Sequence, residues 1–288
     1  MPELPEVETI VRGLRPRIVG RRVVTAALSH DDILDGVSAA RLRRELRGCT
    51  ITAVERRAKH ALIVTDTRIL AVQPGMSGSL IHYPRALTPG ERRYAVLRCR
   101  LDDGTWLVYR DIRRIGTIRW LVPAAWNRYA ARLGPEPLDP AFTAAMFAAR
   151  LSRSRSPIKK VLMDQRFVVG VGNIYANEAL FAARVDPSMR ACDLPPVKLS
   201  RLHDEVVRVL QAAIDREGSS IRDYVTGTGE SGSFQEVMQV YGRAGAPCVN
   251  CGTKLVETHE IDARSTVFCW RCQNGRERRR ERRKERPK

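Results

Sequence analysis

The sequence predicts an α+β protein of several domains, in which strands come first, helices follow and a metal-binding hairpin lies near the C-terminus. Its 288 residues suit about two domains or one large one. Short β-type runs separated by Gly, Asp-Gly and Pro occupy residues 22–121, whereas helical spacing dominates residues 141–218. Two Cys-x2-Cys pairs after residue 247 give the third observation.

The N-terminal part combines two helices with many short strands. Apolar residues recur at i, i+3, i+4 and i+7 from Val7 to Leu14, which predicts a buried helix over the first 20 residues. A second helix is expected at about 38–47. Strands are predicted at Arg22–Leu28, Thr50–Arg56, Ala61–Asp66, Ile69–Val72, Tyr94–Leu101, Thr105–Tyr109 and Thr117–Leu121. So many short strands with tight turns indicate an antiparallel sandwich or barrel.

A Pro-rich stretch over residues 134–140 marks a boundary or hinge, and the chain beyond it is predicted to be helical. Helices are expected at Ala141–Leu151, at Asn173–Ala183 and over residues 199–218. Residues 226–233 are rich in Gly, Ser and Thr, so we expect a flexible loop with no apolar anchor. The tail from Gly275 onward is strongly charged and is expected to be disordered.

The charge balance indicates a polyanionic partner. Lys and Arg number 50 against 32 Asp and Glu, which gives a formal net charge of +18. Residues 276–288 hold nine basic and three acidic side chains, so the tail supplies +6 and the rest of the chain +12. This balance is typical of nucleic-acid-binding proteins. A membrane surface is the weaker alternative, because no basic amphipathic helix is evident.

Neither a membrane-spanning segment nor a secretory signal is expected. No apolar stretch approaches the ~20 residues that a membrane helix needs. Glu3 and Glu6 stand where a secretory signal would carry positive charge. We therefore expect a cytoplasmic protein whose thiols stay reduced.

The most specific local pattern is a four-cysteine motif with the spacing Cys-x2-Cys-x17-Cys-x2-Cys. This spacing is usual for four-thiolate zinc sites, and an iron–sulfur cluster is the minor alternative. Four sulfur ligands leave no open coordination position, so we expect one structural Zn²⁺. Its ligands would be Cys248, Cys251, Cys269 and Cys272. The other cysteines, Cys49, Cys99 and Cys192, are expected to be buried packing residues.

The segment Gly-Val-Gly-Asn at residues 170–173 stands at a predicted helix start and is a candidate phosphate site. Free N–H groups at a helix N-terminus bind anions, and glycines permit a close approach. Asn173 would cap the helix and contact the anion. Such patterns are common, and a tight turn with an asparagine cap explains this one equally well.

The N-terminus is a second candidate for chemistry. Removal of Met1 would expose the secondary amine of Pro2 beside Glu3. An α-amino group has a pKa near ~8 against ~10.4 for a lysine, so it is far more often unprotonated at neutral pH. Such an amine is a nucleophile, and a neighbouring carboxyl group would supply or accept the proton. The alternative is an ordinary helix start with favourable acidic residues, and composition alone favours that alternative.

Several longer motifs follow one another in order along residues 1–273. They are Met-Pro-Glu-Leu-Pro-Glu-Val-Glu-Thr at 1–9, Arg-Arg-Ala-Lys at 56–59, Gly-Met-Ser-Gly-Ser-Leu at 75–80, Asp-Ile-Arg-Arg-Ile-Gly at 111–116, Leu-Gly-Pro-Glu-Pro-Leu at 133–138, Leu-Met-Asp at 162–164 and Val-Tyr-Gly-Arg at 240–243. In these motifs the chain resembles the formamidopyrimidine-DNA glycosylases. That family implies an N-terminal antiparallel β-sandwich with an N-terminal helix, a helix–two-turn–helix domain and a C-terminal β-hairpin zinc finger, with DNA bound between two lobes.

The resemblance implies both a division of the chain and an activity. The implied parts are a catalytic β-sandwich domain at 1–134, a linker and first helix at 135–152, a helix–two-turn–helix DNA-binding domain at 153–235, a zinc finger at 236–274 and a disordered basic tail at 275–288. The implied enzyme is a monomer that acts on double-stranded DNA containing oxidised purines or abasic sites. It would flip 8-oxoguanine or a formamidopyrimidine out of the duplex, excise it and cut the strand.

The resemblance also assigns roles to single residues. Pro2 would attack C1′ of the deoxyribose and form a Schiff base, while Glu3 would be the acid that helps the base to leave. Lys59 would act near the lesion and in β-elimination, and Arg264 at the phosphate and in δ-elimination. Lys159 would line the lesion site. The implied DNA-binding residues are Tyr94, Arg113, Asn173, Met76, Ile115, Lys159, Glu6 and Ser154.

Departures from the family pattern bear on the DNA contacts. Ile115 stands where the family usually has the Phe that wedges beside the orphaned base, although Met76 and Arg113 are present. Aliphatic wedges do unstack bases, so we expect the activity to survive with an altered preference for the opposite base. The other departures are Ile112 for Pro, Gln73-Pro74 for His-Leu, Tyr94 for His and Ser154 for Lys.

Two alternatives stay open. An endonuclease VIII-type enzyme of the same superfamily would act on oxidised pyrimidines, but Leu4 and the loop at 226–233 favour the purine-acting branch. A non-catalytic DNA-binding zinc protein on the same scaffold would lack Pro2, Glu3 or Lys59, and all three are present.

Overall fold

The computed structural model describes residues 2–221 and 224–273, and the chain divides into two compact units. The first comprises Met1–Arg132 with Ala213–Glu236, and the second comprises Leu133–Ala212 with Val237–Lys288. The tail for which the sequence predicts disorder lies outside the described residues. A search of the described helices finds none with the length and apolar character that crossing a membrane requires.

The first unit contains two antiparallel four-stranded sheets, which confirms the predicted β-sandwich. Its elements are α1 (Leu4–Ile18), β1 (Val23–Leu28), α2 (Ala39–Leu46), β2 (Ile51–Arg57), β3 (His60–Thr65), β4 (Ile69–Gln73), β5 (Gly78–Tyr83), α3 (Pro89–Arg92), β6 (Ala95–Leu101), β7 (Trp106–Asp111), β8 (Thr117–Leu121) and α4 (Pro123–Ala130). One sheet has the strand order β1-β6-β7-β5, and the other has the order β2-β3-β4-β8.

Helix α1 packs into the core of the sandwich. Its apolar residues Val7, Ile10 and Leu14 have no exposed surface, and they share one core with Val54 of β2 and Leu97 of β6. Truncating one such buried leucine to alanine typically costs ~2–5 kcal/mol. The core therefore fixes the start of α1, where the predicted nucleophile lies.

All seven predicted strands are observed, but β5 and the short helices α3 and α4 are not foreseen from periodicity. Strand β5 begins with Gly78 and Ser79, which are small and give no apolar alternation. Helix α4 has only 8 residues, and Trp126 is the residue that it buries. Short elements of this kind carry too few apolar residues to establish a period.

The segment 226–233, predicted from its composition to be a flexible loop, packs closely at its start. Thr226 and Gly227 are buried. A Cβ atom on Gly227 would lie 2.5 Å from the carbonyl oxygen of Ile10 in α1. The carbonyl of Gly227 also accepts a hydrogen bond from the backbone N–H of His82 at 2.9 Å. Here glycine permits close backbone packing against α1, which composition alone does not predict.

The second unit is helical with a small two-stranded sheet, which confirms the predicted helical domain and C-terminal hairpin. Its elements are α5 (Ala144–Leu151), α6 (Ile158–Met163), α7 (Asn173–Ala182), α8 (Pro196–Asp215, which continues into the first unit), β9 (Val256–Thr258), β10 (Thr266–Phe268) and α9 (Trp270–Gln273). Helix α5 begins at Ala144 rather than at Ala141, because the hydroxyl of Thr143 caps it by accepting the Met146 N–H at 3.2 Å. Cys192 is exposed, contrary to the prediction, whereas Cys49 and Cys99 are buried.

Candidate active site

The start of helix α1 holds Pro2, Glu3 and Glu6 inside the first unit. Pro2 is buried, and Glu3 and Glu6 are each 2% exposed. The Glu6 carboxylate accepts the backbone N–H of Glu3 at 2.8 Å and that of Ser219 at 2.9 Å. These hydrogen bonds fix the backbone beside Pro2. Glu6 is therefore a buried residue that holds the backbone at the start of α1, and its DNA contact stays a prediction.

Lys59 lies in the two-residue turn between β2 and β3 and is 5% exposed. Ala58 before it has a φ angle of 55°, a left-handed conformation that is uncommon for a residue with a side chain. The Arg56 guanidinium braces the turn, because it donates to the Ala58 carbonyl at 3.1 Å and pairs with Glu8 of α1 at 2.8 Å. The turn that carries Lys59 is thus tied to the helix that follows the predicted nucleophile.

His60, next to Lys59, is a functional candidate that the sequence did not reveal, since a single histidine forms no pattern. It is 3% exposed. Its Nδ1 lies 3.3 Å from the Arg57 carbonyl oxygen, and its Nε2 lies 3.2 Å from the Tyr129 hydroxyl. Burial, followed by the charge of Arg119, lowers the pKa of His60 to about 4. The ring is neutral at pH 7 and adds no positive charge beside Lys59.

Three predicted DNA-contacting side chains project from two loops of the first unit. Met76 is 40% exposed and Ile115 is 49% exposed. The guanidinium Nη1 of Arg113 lies 3.3 Å from the sulfur of Met76. The Ile115 side chain lies over Gly75, where an added Cβ would come within 2.7 Å of its Cγ1. These loops expose large apolar side chains next to a cation, as expected of a surface that contacts a partner.

Tyr94 stands directly before β6 and is half-buried. The Arg93 guanidinium lies 5.2 Å from the centroid of its ring, within the range of a cation–π interaction. The carbonyl of Tyr94 accepts the backbone N–H of Asp111 at 3.0 Å. Tyr94 is therefore attached to the end of β7, immediately before the loop that carries Arg113.

In the second unit, Asn173 is the first residue of α7, and the N-cap is Gly172. The prediction that Asn173 caps the helix is therefore wrong. Its side-chain amide donates instead to the Ser265 carbonyl at 3.0 Å. One turn later, the Asn177 side chain accepts the backbone N–H of Val267 at 2.8 Å. Two amide side chains of α7 thus hold the β9–β10 hairpin.

Lys159 of α6 is fully buried in this structure, and its place at the lesion site stays a prediction. Its ammonium donates to the Thr266 hydroxyl at 2.7 Å and to the Ser265 carbonyl at 3.1 Å, and it lies 3.5 Å from the Asp262 carboxylate. An ammonium has three donor hydrogens, and each of these partners can accept one of them. In this structure Lys159 anchors the hairpin from inside the second unit.

Arg264 is exposed between β9 and β10. Its backbone N–H donates to the Asp262 carboxylate at 3.1 Å, and its guanidinium lies 4.0 Å from the sulfur of Met163. The side chain lines a cavity of about 580 Å³. Ser154, a predicted DNA contact, and Lys160 line the same cavity. The structure therefore brings Arg264 and Ser154 to one polar opening of the second unit.

The four cysteines of the predicted zinc motif lie together, with all four sulfur atoms within 4.8 Å of one another. The sulfurs of Cys248 and Cys272 are 3.9 Å apart, and those of Cys251 and Cys269 are 3.6 Å apart. Zinc–sulfur bonds of ~2.3 Å in a tetrahedron place the sulfurs about 3.8 Å apart, so the observed spacing fits zinc. The residues present suit a closed structural site.

Glu178 of α7 is a buried residue that the sequence analysis missed. It is 4% exposed, and its carboxylate accepts three backbone N–H groups, from Gln239, Val240 and Tyr241, at 2.9, 3.0 and 2.8 Å. Burial raises the pKa of Glu178, although these hydrogen bonds oppose the rise. The interaction holds the chain segment that leads into the zinc motif.

Comparison with known proteins finds two domain profiles of one family. The profile of the formamidopyrimidine-DNA glycosylase N-terminal domain matches residues 1–118, and that of the formamidopyrimidine-DNA glycosylase H2TH domain matches residues 133–225. The formamidopyrimidine-DNA glycosylase of Marinomonas sp. is 42% identical over 276 residues, which cover 95% of this chain and 100% of that protein.

Solved structures of the same family are also similar to this chain. The Lactococcus lactis Fpg in complex with DNA containing an abasic site has a TM-score of 0.87 and 32% identity, covering 94% of this chain and 99% of that one. The same bacterium's enzyme in complex with Fapy-dG-containing DNA gives a TM-score of 0.86 and 31% identity, with the same coverage.

Proposed function

The chain belongs to the formamidopyrimidine-DNA glycosylase family and is a DNA glycosylase with abasic-site lyase activity, and we propose that it excises oxidised purines through a Schiff base at Pro2. The supporting observation is the buried start of α1, where Glu6 fixes the backbone of Glu3 next to Pro2. The proposed substrates are 8-oxoguanine and formamidopyrimidines in double-stranded DNA, together with abasic sites.

The proposed reaction begins once Met1 has been removed, because an internal proline nitrogen is an amide and is not nucleophilic. The unprotonated Pro2 nitrogen attacks C1′ of the deoxyribose, and the bond from C1′ to the base breaks. The base departs with that electron pair and takes up a proton, for which Glu3 is the acid. The Pro2 nitrogen then gives up its proton, the C1′–O4′ bond breaks and O4′ takes up a proton, which leaves an iminium between the Pro2 nitrogen and C1′.

Strand cleavage follows from the acidity that the iminium gives to the C2′ proton. Loss of this proton expels the 3′ phosphate by β-elimination, and a second elimination expels the 5′ phosphate. We assign Lys59 to the first elimination and Arg264 to the phosphate in the second. A guanidinium does not lose its proton, so it stabilises a leaving phosphate but does not act as the amine nucleophile.

The second unit supplies the proposed phosphate contacts. The N-terminus of α7 follows Gly172 and presents the positive end of a helix dipole, which suits a phosphate near Asn173. One Zn²⁺ held by the four cysteines would stabilise the hairpin that carries Arg264. We propose that the enzyme acts as a monomer on chromosomal DNA, hence in the cytoplasm at the nucleoid.

Borohydride trapping tests the proposed chemistry directly, because borohydride reduces an iminium to a stable amine. The substrate is a duplex with a single 8-oxoguanine opposite cytosine. Wild type is compared with Pro2→Gly and Glu3→Gln, and Pro5→Ala is the matched control for loss of a proline in the same segment. Mass spectrometry of the wild-type adduct maps the attachment site and reports whether Met1 is removed.

We expect an adduct at Pro2 and strand cleavage by β,δ-elimination in wild type and in Pro5→Ala. Adduct formation by Glu3→Gln should be strongly reduced. An adduct only with a thymine-glycol duplex would move the chain to the pyrimidine-acting branch. No adduct with either duplex, while DNA binding persists, would leave a DNA-binding scaffold without the proposed chemistry.

A further inference from the structure

Asp111, the last residue of β7, is a buried carboxylate between the two loops that carry the exposed apolar residues. It is 2% exposed. Its carboxylate accepts hydrogen bonds from the Ser77 hydroxyl at 2.7 Å, the Tyr109 hydroxyl at 3.0 Å and the backbone N–H of Gly116 at 2.8 Å. The three donors come from the loop at 74–77, from β7 and from the loop at 112–116, so one side chain joins all three.

Ser77 adds a second link between the same two loops. While its hydroxyl donates to Asp111, its oxygen accepts the backbone N–H of Arg113 at 2.9 Å. The backbone on either side of Ile112 is therefore held, at Asp111 by the Tyr94 carbonyl and at Arg113 by Ser77. The backbone that carries these exposed side chains is therefore held by hydrogen bonds.

The glycines of these two loops lie in close contact with the Tyr109 hydroxyl or with the facing loop, where a larger residue would not fit. A Cβ on Gly78 would lie 2.5 Å from the Tyr109 hydroxyl, and one on Gly116 would overlap that hydroxyl outright. A Cβ on Gly75 would lie 2.6 Å from the backbone nitrogen of Gly116. The two loops are therefore in close backbone contact, with the buried hydroxyl and carboxylate between them.

We propose that Asp111 is a positioning residue that locks the loops at 74–77 and 112–116 together, so that Met76, Arg113 and Ile115 enter the duplex as one rigid wedge. This inference rests on the proposed function, since a wedge matters only to an enzyme that extrudes a base. An isoleucine has a smaller contact area than an aromatic ring and does not stack. Exact placement therefore matters more to this wedge than to one that contains a phenylalanine.

The Asp111→Asn substitution tests the proposal with little change in volume. An asparagine has one acceptor oxygen and an NH2 group, which would face hydroxyl and N–H donors where a carboxylate accepts from all three. We expect single-turnover excision of 8-oxoguanine to fall by about 10- to 100-fold, the range that a misplacement of about 1 Å can produce. Cleavage of a preformed abasic site should fall by less than about 3-fold, since no base has to be extruded.

Two readouts separate positioning from a general loss of structure. The first is the ratio of excision rates opposite cytosine and opposite adenine, which should approach unity in Asp111→Asn. The second is the fluorescence of 2-aminopurine placed beside the lesion, which increases when a wedge unstacks it. Ser77→Ala should show the same pattern with a smaller amplitude. Asp102→Asn, an exposed carboxylate at the other end of the β6–β7 hairpin, is the matched control.

Wild-type base discrimination and fluorescence in both Asp111→Asn and Ser77→Ala would overturn the proposal. An equal loss of base excision and abasic-site cleavage would also overturn it. If Asp111→Asn fails to fold, Ser77→Ala decides by the same criteria. Failure of the proposed function itself looks different, because wild type would then form no borohydride adduct at Pro2 whatever the loops do.

Discussion

The two candidate regions, the start of α1 with the Lys59 turn and the β9–β10 hairpin with Arg264, are stabilised by different interactions. In the first unit, α1 and the Lys59 turn rest on a large apolar core to which both sheets contribute. In the second unit, the hairpin that carries Arg264 has a small apolar core and depends on the four cysteines, on Lys159 and on amide side chains of α7. The first region should therefore lose less stability than the second when one of its polar groups is removed.

Removal of the proposed zinc ion should give the largest difference between the two regions. Chelation, or the Cys272→Ala substitution, should release the β9–β10 hairpin and weaken DNA binding by at least about 100-fold, because zinc binding supplies much of the folding energy of such hairpins. Hydrogen–deuterium exchange should rise over 245–273 and stay unchanged in β2–β4. Cys192→Ala is the control, since Cys192 is exposed and distant in sequence from the motif. Unchanged exchange in the hairpin of metal-free protein would show that the polar links suffice.

Replacing Lys159 should produce the next largest effect. Lys159→Met retains most of the volume but leaves the Asp262 carboxylate and the Thr266 hydroxyl without their buried partner, which typically costs about 3 kcal/mol. Urea denaturation should detect the loss, and zinc affinity should fall with it. Lys160→Met is the matched control, because the adjacent lysine is exposed. Equal stability of the two variants would contradict the anchoring role of Lys159.

A smaller, pH-dependent effect is expected in the first unit from His60. A histidine in the unfolded chain has a pKa near ~6.5, whereas that of His60 is about 4 in the folded protein. As the pH falls below about 6.5, the unfolded chain takes up the proton first, so stability is lost until the pH reaches about 4. The loss between pH 7 and pH 5 should be about 2 kcal/mol.

The His60→Gln variant isolates this contribution, since glutamine can hydrogen-bond but does not titrate. Its free energy of unfolding should vary less with pH between 7 and 5 than that of wild type. His259→Gln, which removes an exposed histidine, should keep the wild-type pH dependence. Identical pH dependence in wild type and His60→Gln would show that folding does not lower the pKa of His60.

The difference between apolar packing and polar links also explains which features could be predicted from the sequence. Seven strands of the sandwich, the helices α1, α2, α5, α7 and α8 and the four-cysteine motif follow from apolar periodicity and spacing, and the structure has them, whereas β5 and α6 do not follow. Lys159 illustrates a limit, because a motif identifies a lysine without saying whether its ammonium faces solvent or a buried hydroxyl. The roles of Asp111 and Glu178 could not be predicted from the sequence either. Their partners are backbone N–H groups and hydroxyls brought together by the fold, and such contacts leave no pattern in the sequence.

Segment 226–233 shows why composition misleads even for a local feature. Gly, Ser and Thr are the residues of flexible linkers, yet Gly227 lies against the backbone of α1 and its carbonyl accepts the backbone N–H of His82. Glycine permits both disorder and the closest backbone packing, and only the neighbouring surface decides between them. The helix that supplies this surface is distant in sequence.

The smallest expected effect concerns the basic tail, which is part of neither the α1 region nor the β9–β10 hairpin. Deleting residues 276–288 removes nine basic and three acidic side chains. Binding to undamaged DNA should weaken, and the slope of log K against log salt concentration should become less steep than the value near −5 that about six phosphate contacts would give the full chain. Excision of 8-oxoguanine under single-turnover conditions at saturating enzyme should stay within about 2-fold, because the residues assigned to the proposed chemistry, from Pro2 to Arg264, all precede the tail. A large loss of excision would instead give the tail a specific part in lesion recognition.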